Sequence, residues 1–254
     1  MGIKLRKLDR SDVRFQEHEQ EFNKRWQHRG KYARVQEVFL ARDISVSMSI
    51  RGIRFNRYRN GAPWMLLYHG TQRACYAGES GDSIHNCSNA ECKFCSILKE
   101  SFKISEAGSR NRHGMFGKGI YTTPIASKAD NYAKNHHIRS QFHAIILCRV
   151  VCDKPQLMHQ ADHSLVAPSS DQYNCVTAVT KANGGSVEYP EIVVYRDDAI
   201  VPVGVILYTR EGWAPRRQAP ARGGNKPIVY IGAFITLDLA RSKYVRNSTV
   251  GLAV

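Results

Sequence analysis

The apolar residues of this chain fall in short runs separated by irregular polar spacers, and this distribution restricts the fold more than any other feature. A short run of apolar and β-branched residues between turn residues is typical of a β-strand. Six segments have this form: residues 33–41, 64–68, 120–121, 143–151, 192–195 and 201–208. No repeat with a period of about 20–50 residues is present, which excludes solenoids and propellers. We therefore expect an α+β domain with a mainly antiparallel core.

A helix is predicted near the N-terminus. Phe15, Phe22 and Trp26 are spaced seven and four residues apart in a polar segment. A helix over residues 11–28, ended by Gly30, places the three rings on one face. This aromatic face would dock the helix on a larger body.

Two other segments have helical spacing, residues 95–102 and 126–135. In the second, Ser127 is followed three residues later by Asp130, which is the spacing of a capping box. The predicted helices are few and short, as an α+β fold requires.

Positive charge is the main bias of the composition. The chain has 254 residues, with 37 Lys and Arg against 22 Asp and Glu, and a formal net charge of +15. This excess favours an acidic partner such as a nucleic acid, a nucleotide or an anionic surface, because the summed field concentrates anions. Hydrophobic residues make up 43% of the chain, which suits one large domain or two small ones and excludes a wholly disordered chain.

The sequence contains no obvious membrane or export signal. No apolar run approaches the ~20 residues that span a bilayer. The first ten residues lack the apolar core of a secretory signal. We expect an intracellular monomer, cytoplasmic and/or nuclear, with no membrane partner.

Seven cysteines are spread over the chain. An odd number in a chain of this length is a poor disulfide framework. Cys148, Cys152 and Cys175 are therefore expected as separate thiols, buried or exposed.

A cluster of cysteines predicts a metal site. His85, Cys87, Cys92 and Cys95 lie within eleven residues and include one Cys-x-x-Cys pair, which suits a tetrahedral structural Zn²⁺. Cys75 is an alternative fourth ligand, because His85 and Cys87 are close enough in sequence to strain a shared tetrahedron. The competing interpretation is a loop with free thiols.

Four sequence fragments follow or begin predicted strands: Tyr68-His69-Gly70-Thr71, Phe116-Gly117-Lys118-Gly119-Ile120-Tyr121, Ser127-Lys128-Ala129-Asp130-Asn131-Tyr132 and Tyr189-Pro190-Glu191-Ile192-Val193-Val194-Tyr195. Each fragment alone is typical of a turn, a helix cap or a surface strand. Their order along one chain is far more specific.

Together, these fragments resemble the catalytic domain of the poly(ADP-ribose) polymerase-like ADP-ribosyltransferases of the His-Tyr-Glu type. The resemblance covers about residues 20–208. Within the family, the chain is most similar to fungal short forms that carry a Cys-cluster insertion. The resemblance implies the ADP-ribosyltransferase fold, in which two packed, mainly antiparallel sheets surround an NAD cleft and short helices flank them.

The resemblance also implies the site residues. His69, Tyr121 and Glu191 correspond to the catalytic triad. The residues implied to contact NAD are His69, Gly70, Thr71, Gly119, Tyr121, Ser127, Lys128 and Tyr132.

These residue types suit the chemistry of NAD cleavage. Tyr121 and Tyr132 can hold the cationic nicotinamide ring between their faces. His69 is suited to the ribose 2′-hydroxyl, and the backbone of Gly70 can approach the carboxamide because no side chain blocks it. Glu191 can stabilise the positive charge that develops on the ribose and orient or deprotonate the acceptor.

The sequence departs from the family at one position, where Ala129 stands in place of a serine that binds the carboxamide. The loss is one hydrogen bond, about 0.5–1.5 kcal/mol. Glu188 and Glu191 are three residues apart, so a strand would direct them to opposite faces. This spacing argues against the arginine-modifying branch, which carries Glu-x-Glu.

The expected organisation has four parts: residues 1–30 form an N-terminal helix that docks on the catalytic domain, residues 31–210 form that domain with a zinc-knuckle insertion at 73–95, residues 211–227 form an Arg/Pro/Gly-rich linker, and residues 228–254 have no assigned role. The expected function is NAD-dependent transfer of a single ADP-ribose unit to a protein acceptor. Two alternatives remain open. The first is transfer to nucleic acid or water, and the second is a non-catalytic module that binds ADP-ribose or nucleic acid.

Overall fold

The computed structural model describes residues 4–42, 46, 48–108 and 114–211. Its strands are β1 (Leu5–Lys7), β2 (Tyr32–Ala41), β3 (Met65–Gly70), β4 (Ile120–Thr122), β5 (Phe142–Val150), β6 (Pro155–Met158), β7 (Cys175–Ala178), β8 (Ile192–Val194) and β9 (Ile200–Glu211). Its helices are α1 (Val13–Lys24), α2 (Ile50–Arg59), α3 (Lys93–Glu100) and α4 (Ala126–Asp130). The predicted α+β class, with two mainly antiparallel sheets and short helices, is confirmed.

The larger sheet has the strand order β1-β2-β9-β5-β3, and all of its pairings are antiparallel. Its central strands β5 and β9 are buried along most of their length, as Ile145, Ile146 and Leu147 illustrate. A strand covered on both faces has apolar residues at successive positions rather than at alternate ones. The runs at 143–151 and 201–208 have this form because of their central position.

The smaller sheet has the order β4-β8-β7-β6, with one parallel pair, β6 and β7. It has its own apolar cluster, which includes Phe116, Val176, Val193 and Tyr195. Strands β6 and β7 lie in residues 155–188, where the sequence predicted no element. Four-residue strands between polar spacers have too few alternating positions to give a periodic signal.

A backbone bridge joins the two sheets. Tyr68 donates its N–H to the Thr123 carbonyl at 2.9 Å, and Thr123 donates to the Tyr68 carbonyl at 3.0 Å. Tyr68 is in β3, an edge strand of the larger sheet, and Thr123 follows β4, an edge strand of the smaller one. The bridge therefore brings the end of β3 beside β4.

Helix α1 covers residues 13–24, so the prediction of a helix over 11–28 was too long. Phe15 and Phe22 are fully buried, whereas Trp26 lies beyond the end of the helix. The indole of Trp26 nevertheless packs on Phe22 and donates its N–H to the Lys31 carbonyl. All three aromatic residues contribute to docking, two of them from the helix.

Helix α4 ends at Asp130, so the predicted helix over 126–135 was also too long, and Ser127 does not cap it. The Ser127 hydroxyl instead accepts N–H groups from residues 27 and 28. The Asp130 carboxylate accepts hydrogen bonds from the Tyr208 hydroxyl at 2.5 Å and from Arg210 Nε at 2.8 Å. Both side chains of the supposed capping box are used in tertiary contacts.

Cys152 and Cys175 form a disulfide, so the expectation of separate thiols at these two positions was wrong. The parity argument treated all seven cysteines alike, but the fold brings these two together with their Cα atoms 5.5 Å apart. Cys152 follows β5 and Cys175 begins β7, so the bond joins the two sheets. Cys148 is a buried free thiol, as expected.

Besides β6 and β7, strand β1 and helix α2 were not predicted from the sequence. Residues 212–227 of the predicted linker and the whole of 228–254 lie outside the described residues. Within the described part of the chain, no helix has the length and apolar character needed to cross a membrane.

Docking of α1 is testable by mutation. We expect Phe22→Ala to lower the free energy of unfolding by about 3–5 kcal/mol, because it deletes a fully buried ring and leaves a cavity. Val13→Ala, at an exposed position of the same helix, should change it by less than about 0.5 kcal/mol. Urea unfolding measures both, and equal effects would contradict the docking of α1 through Phe22.

Candidate active site

A cavity of about 610 Å³ lies at the junction of the two sheets. It is bounded by the end of β3, by α3 and the loop after it, by α4, and by β4 with the start of β8. The residues predicted from the four fragments that line it are His69, Gly70, Thr71, Gly119, Tyr121, Lys128, Tyr132 and Glu191. The chemistry of each depends on how its element holds it.

His69 is the penultimate residue of β3 and lies beside β4. Its Nδ1 lies 2.8 Å from the Tyr121 carbonyl oxygen, so Nδ1–H donates and Nε2 is left as an acceptor. The edge of the Phe102 ring packs on the imidazole at 4.9 Å between centroids. Burial lowers the pKa of His69, so the ring is held neutral.

Gly70 is required by a close approach of backbone to backbone. A Cβ at this position would lie 1.8 Å from the carbonyl oxygen of Ala129 in α4. Only glycine fits here, and the peptide of Gly70 remains open to the cavity.

Two tyrosines line the cavity and differ in their hydrogen bonds and exposure. The Tyr121 hydroxyl donates to the Gly117 carbonyl at 2.8 Å and accepts the Phe116 N–H at 2.9 Å. Burial raises the pKa of Tyr121 to about 12, so the phenol stays protonated and fixed. The Tyr132 side chain is 48% exposed and can adjust to a ligand.

Glu191 immediately precedes β8 and is only 8% exposed. Its Oε1 lies 2.8 Å from Nζ of Lys128, and the same ammonium donates to the Tyr189 carbonyl at 2.7 Å. Burial lowers the pKa of Lys128, while the charge of Glu191 opposes this shift. A buried carboxylate is retained in a cavity only with such a partner. Glu188, in contrast, is exposed and lies outside the cavity.

Ser127 was implied to contact NAD, and the structure places it elsewhere. Its side chain is fully buried outside the cavity lining, where it binds residues 27 and 28. Sequence reasoning also missed several lining residues, because nothing in the sequence separates them from ordinary helix and loop positions. These include Lys93, Ser96, Phe102, Lys103 and Lys134.

The cysteine cluster is brought together by the loop after β3 and the start of α3. The ligand atoms of Cys75, Cys87, Cys92 and Cys95 all lie within 4.8 Å of one another. Cys75 Sγ is 3.6 Å from Cys92 Sγ and 3.4 Å from Cys95 Sγ. Zn–S bonds of about 2.3 Å in a tetrahedron separate the sulfurs by about 3.8 Å, so these four thiols fit a zinc ion.

His85 is not a member of this group. Cys75 is the fourth member of the group, and it is the alternative to His85 that the sequence left open. Hydrogen bonds from the Cys75 and Cys95 thiols lower the pKa of the Cys92 thiol, and the Ala74 N–H, 3.3 Å from its sulfur, acts in the same direction. A thiolate, the form that binds metal, is therefore favoured at Cys92.

The fold and the cavity define an α+β domain with a His, Tyr and Glu constellation at the junction of two sheets. The chain belongs to the poly(ADP-ribose) polymerase catalytic domain family, whose model matches residues 87–213, half of its length. A curated relative from maize, "Poly [ADP-ribose] polymerase 2", is 26% identical over 199 residues. That alignment covers 76% of this chain and 24% of the maize protein, so the chain spans about a quarter of that relative. The predicted family resemblance is confirmed.

The hydroxyl of Tyr121 should matter more for stability than that of Tyr132. We expect Tyr121→Phe to lower the free energy of unfolding by about 1–3 kcal/mol, because it leaves the N–H of buried Phe116 without its partner. Tyr132→Phe removes a hydroxyl from a half-exposed ring and should cost less than about 0.5 kcal/mol. Chemical denaturation of the two variants tests this, and similar losses would argue against the anchoring of Tyr121.

Proposed function

We propose that this chain is an NAD-dependent ADP-ribosyltransferase that breaks the nicotinamide–ribose bond and transfers a single ADP-ribose unit to a protein acceptor. The observation that carries the proposal is the buried carboxylate of Glu191, held by Lys128 in the same cavity as His69 and Tyr121. A cavity of about 610 Å³ is large enough for the nicotinamide–ribose end of NAD and part of the remainder.

In the proposed reaction, the electron pair of the glycosidic C–N bond leaves with nicotinamide, which becomes neutral, and positive charge develops on the ribose. Tyr121 and Tyr132 hold the ring by stacking. The backbone of Gly70 binds the carboxamide, and His69 Nε2 accepts a hydrogen bond from a ribose hydroxyl. The anchored Tyr121 and the neutral His69 supply this geometry before substrate arrives, which lowers the cost of ordering.

Glu191 acts on the developing charge and on the acceptor. Its carboxylate, which is only 8% exposed, stabilises the oxocarbenium character of the ribose. The acceptor then forms a bond to the ribose C1′ and loses its proton, for which Glu191 is the base. One carboxylate can serve both purposes, as in glycoside cleavage.

Two alternatives follow from other features of the chain. The net charge of +15 favours a nucleic-acid acceptor, and water as acceptor would make the chain an NAD glycohydrolase. The second alternative is a non-catalytic module that binds ADP-ribose or nucleic acid. A pure binder gains nothing from a buried carboxylate beside an anionic dinucleotide, so Glu191 argues against it.

A structural zinc ion held by Cys75, Cys87, Cys92 and Cys95 is part of the same proposal. The metal would join the loop after Thr71 to the start of α3. Since Lys93 and Ser96 of α3 line the cavity, the ion would hold one wall of the NAD site in place.

Substitution of Glu191 tests the reaction. We expect Glu191→Gln to reduce nicotinamide release from NAD by about 100-fold, because the amide lacks the charge that stabilises the ribose cation. Glu188→Gln is the matched control and should retain the wild-type rate, since Glu188 is exposed and outside the cavity. Chromatography of nicotinamide follows the rate, and ADP-ribose label is counted in protein, nucleic-acid and free fractions.

The distribution of the label decides the acceptor class. Label in protein supports the proposal, label in nucleic acid favours the first alternative, and free ADP-ribose indicates hydrolysis. If folded wild-type protein releases no nicotinamide, the chain is a binding module and the enzymatic proposal is wrong.

Metal content tests the zinc site. We expect about one zinc per chain by elemental analysis of protein purified without chelator. Cys75→Ser should lose most of this zinc, whereas His85→Ala should retain it, because His85 is outside the thiol group. Zinc loss in His85→Ala with retention in Cys75→Ser would restore the original ligand set, and no zinc in the wild type would indicate free thiols.

A further inference from the structure

The segment that follows α1 binds α4, one of the elements that line the candidate active site. The Ser127 hydroxyl oxygen accepts the backbone N–H of Gln27 at 2.9 Å and that of His28 at 3.1 Å. The same oxygen lies 2.7 Å from Nδ1 of His28. Ser127 is fully buried, whereas Gln27 is exposed and His28 is half-buried.

The hydrogen bonds at Ser127 determine the form of His28. Two backbone N–H groups occupy the acceptor positions of the hydroxyl, so its own proton is directed to His28 Nδ1. This leaves the proton of a neutral imidazole on Nε2. Burial lowers the pKa of His28, which favours the same neutral form.

The imidazole of His28 in turn packs on Tyr189, in the segment that carries Glu191 and leads into β8. It stacks on the Tyr189 ring with centroids 4.2 Å apart and planes 30° apart. The Tyr189 carbonyl accepts the ammonium of Lys128 at 2.7 Å, and this ammonium lies 2.8 Å from Glu191 Oε1.

These contacts form a closed circuit that runs from His28 to Ser127, along the chain to Lys128, and through Tyr189 back to His28. His28 is held by Ser127, the neighbour of Lys128 in α4, and it packs on Tyr189, two residues before Glu191. A lysine has four rotatable bonds, so a single carboxylate partner does not determine where its ammonium lies. The second bond, to the Tyr189 carbonyl, fixes the ammonium, and the stacked His28 ring fixes that peptide.

We propose that His28 and Ser127 are positioning residues that set the Lys128–Glu191 pair for the reaction, without contacting the substrate. This proposal rests on the proposed ADP-ribosyl transfer by Glu191. His28 and Ser127 lie outside the lining of the cavity, so their influence passes through Lys128 and the Tyr189 peptide. A misplacement of about 1 Å at a reacting group can cost about 100-fold in rate.

Kinetics of His28→Ala are the first test. We expect kcat for nicotinamide release to fall about 10-fold while KM for NAD changes less than about 2-fold, because the cavity lining is unchanged. Arg29→Ala, which truncates the exposed neighbour, should leave both parameters at the wild-type values. Thermal unfolding confirms that each variant is folded, and an unchanged kcat in folded His28→Ala would contradict the proposal.

A double-mutant cycle separates positioning from a general loss of structure. Lys128→Ala removes the group through which His28 acts, so adding His28→Ala to that background should lower kcat no further. If the two losses multiply, the residues act independently and the proposal fails. His28→Phe keeps the ring and His28→Asn keeps an acceptor near the Nδ1 position. Partial recovery of kcat by either variant would support the stacking or the hydrogen bond, respectively.

A crystal structure of His28→Ala tests the geometry even if the wild type proves inactive toward NAD. We expect the Lys128 ammonium to leave hydrogen-bond distance of Glu191 Oε1. A pair that stays at the wild-type distance would overturn the positioning role. Failure of the proposed function appears instead as absence of turnover in the wild type, so the two failures are distinguishable.

Discussion

The arrangement of this domain depends on the backbone bridge between Tyr68 and Thr123. A sheet edge exposes unpaired N–H and C=O groups, and here two edges satisfy one another. The bridge determines which ends of the sheets face each other, and therefore that His69 and Tyr121 share a cavity. The hydrogen bond from His69 Nδ1 to the Tyr121 carbonyl continues the same junction with a side chain. The candidate active site is therefore part of the junction between the two sheets.

Buried charges around this junction are paired. Asp130 accepts hydrogen bonds from Tyr208 and Arg210, which attaches α4 to β9. Arg73 is almost fully buried and lies 2.7 Å from Glu79 of the same loop, and it donates to the Phe142 carbonyl at 2.6 Å, which attaches the loop after β3 to β5. An uncompensated buried charge costs several kcal/mol, so each pair restricts its segment to one position. The elements that line the cavity are therefore held in place by polar contacts outside the cavity as well as by apolar packing.

The strands were predictable because their apolar signals are local, and the site fragments were predictable because their order along the chain resembles one family. The runs at 143–151 and 201–208 correspond to β5 and β9, since buried strands need apolar residues at successive positions. His69, Gly70 and Glu191 were found because motif order along the chain survives without knowledge of the fold. The limits of α1 and α4 were less predictable. Trp26 packs with the rings of α1 although it lies beyond the end of that helix, and Ser127 and Asp130 of α4 make tertiary contacts in place of the capping contacts that the local pattern predicts.

The amino-acid sequence by itself indicated the α+β class and the principal strands, because apolar periodicity acts over a few residues. It also indicated the family and the His, Tyr and Glu positions, because the order of four fragments along the chain resembles that family. Tertiary structure alone decided the pairing of Cys152 with Cys175, the choice of Cys75 over His85, and the burial of Ser127 away from the cavity. Each depends on the distance between segments far apart in the chain. The pairing of sheet edges and of buried charges determines that distance, and no local sequence pattern predicts which of them pair.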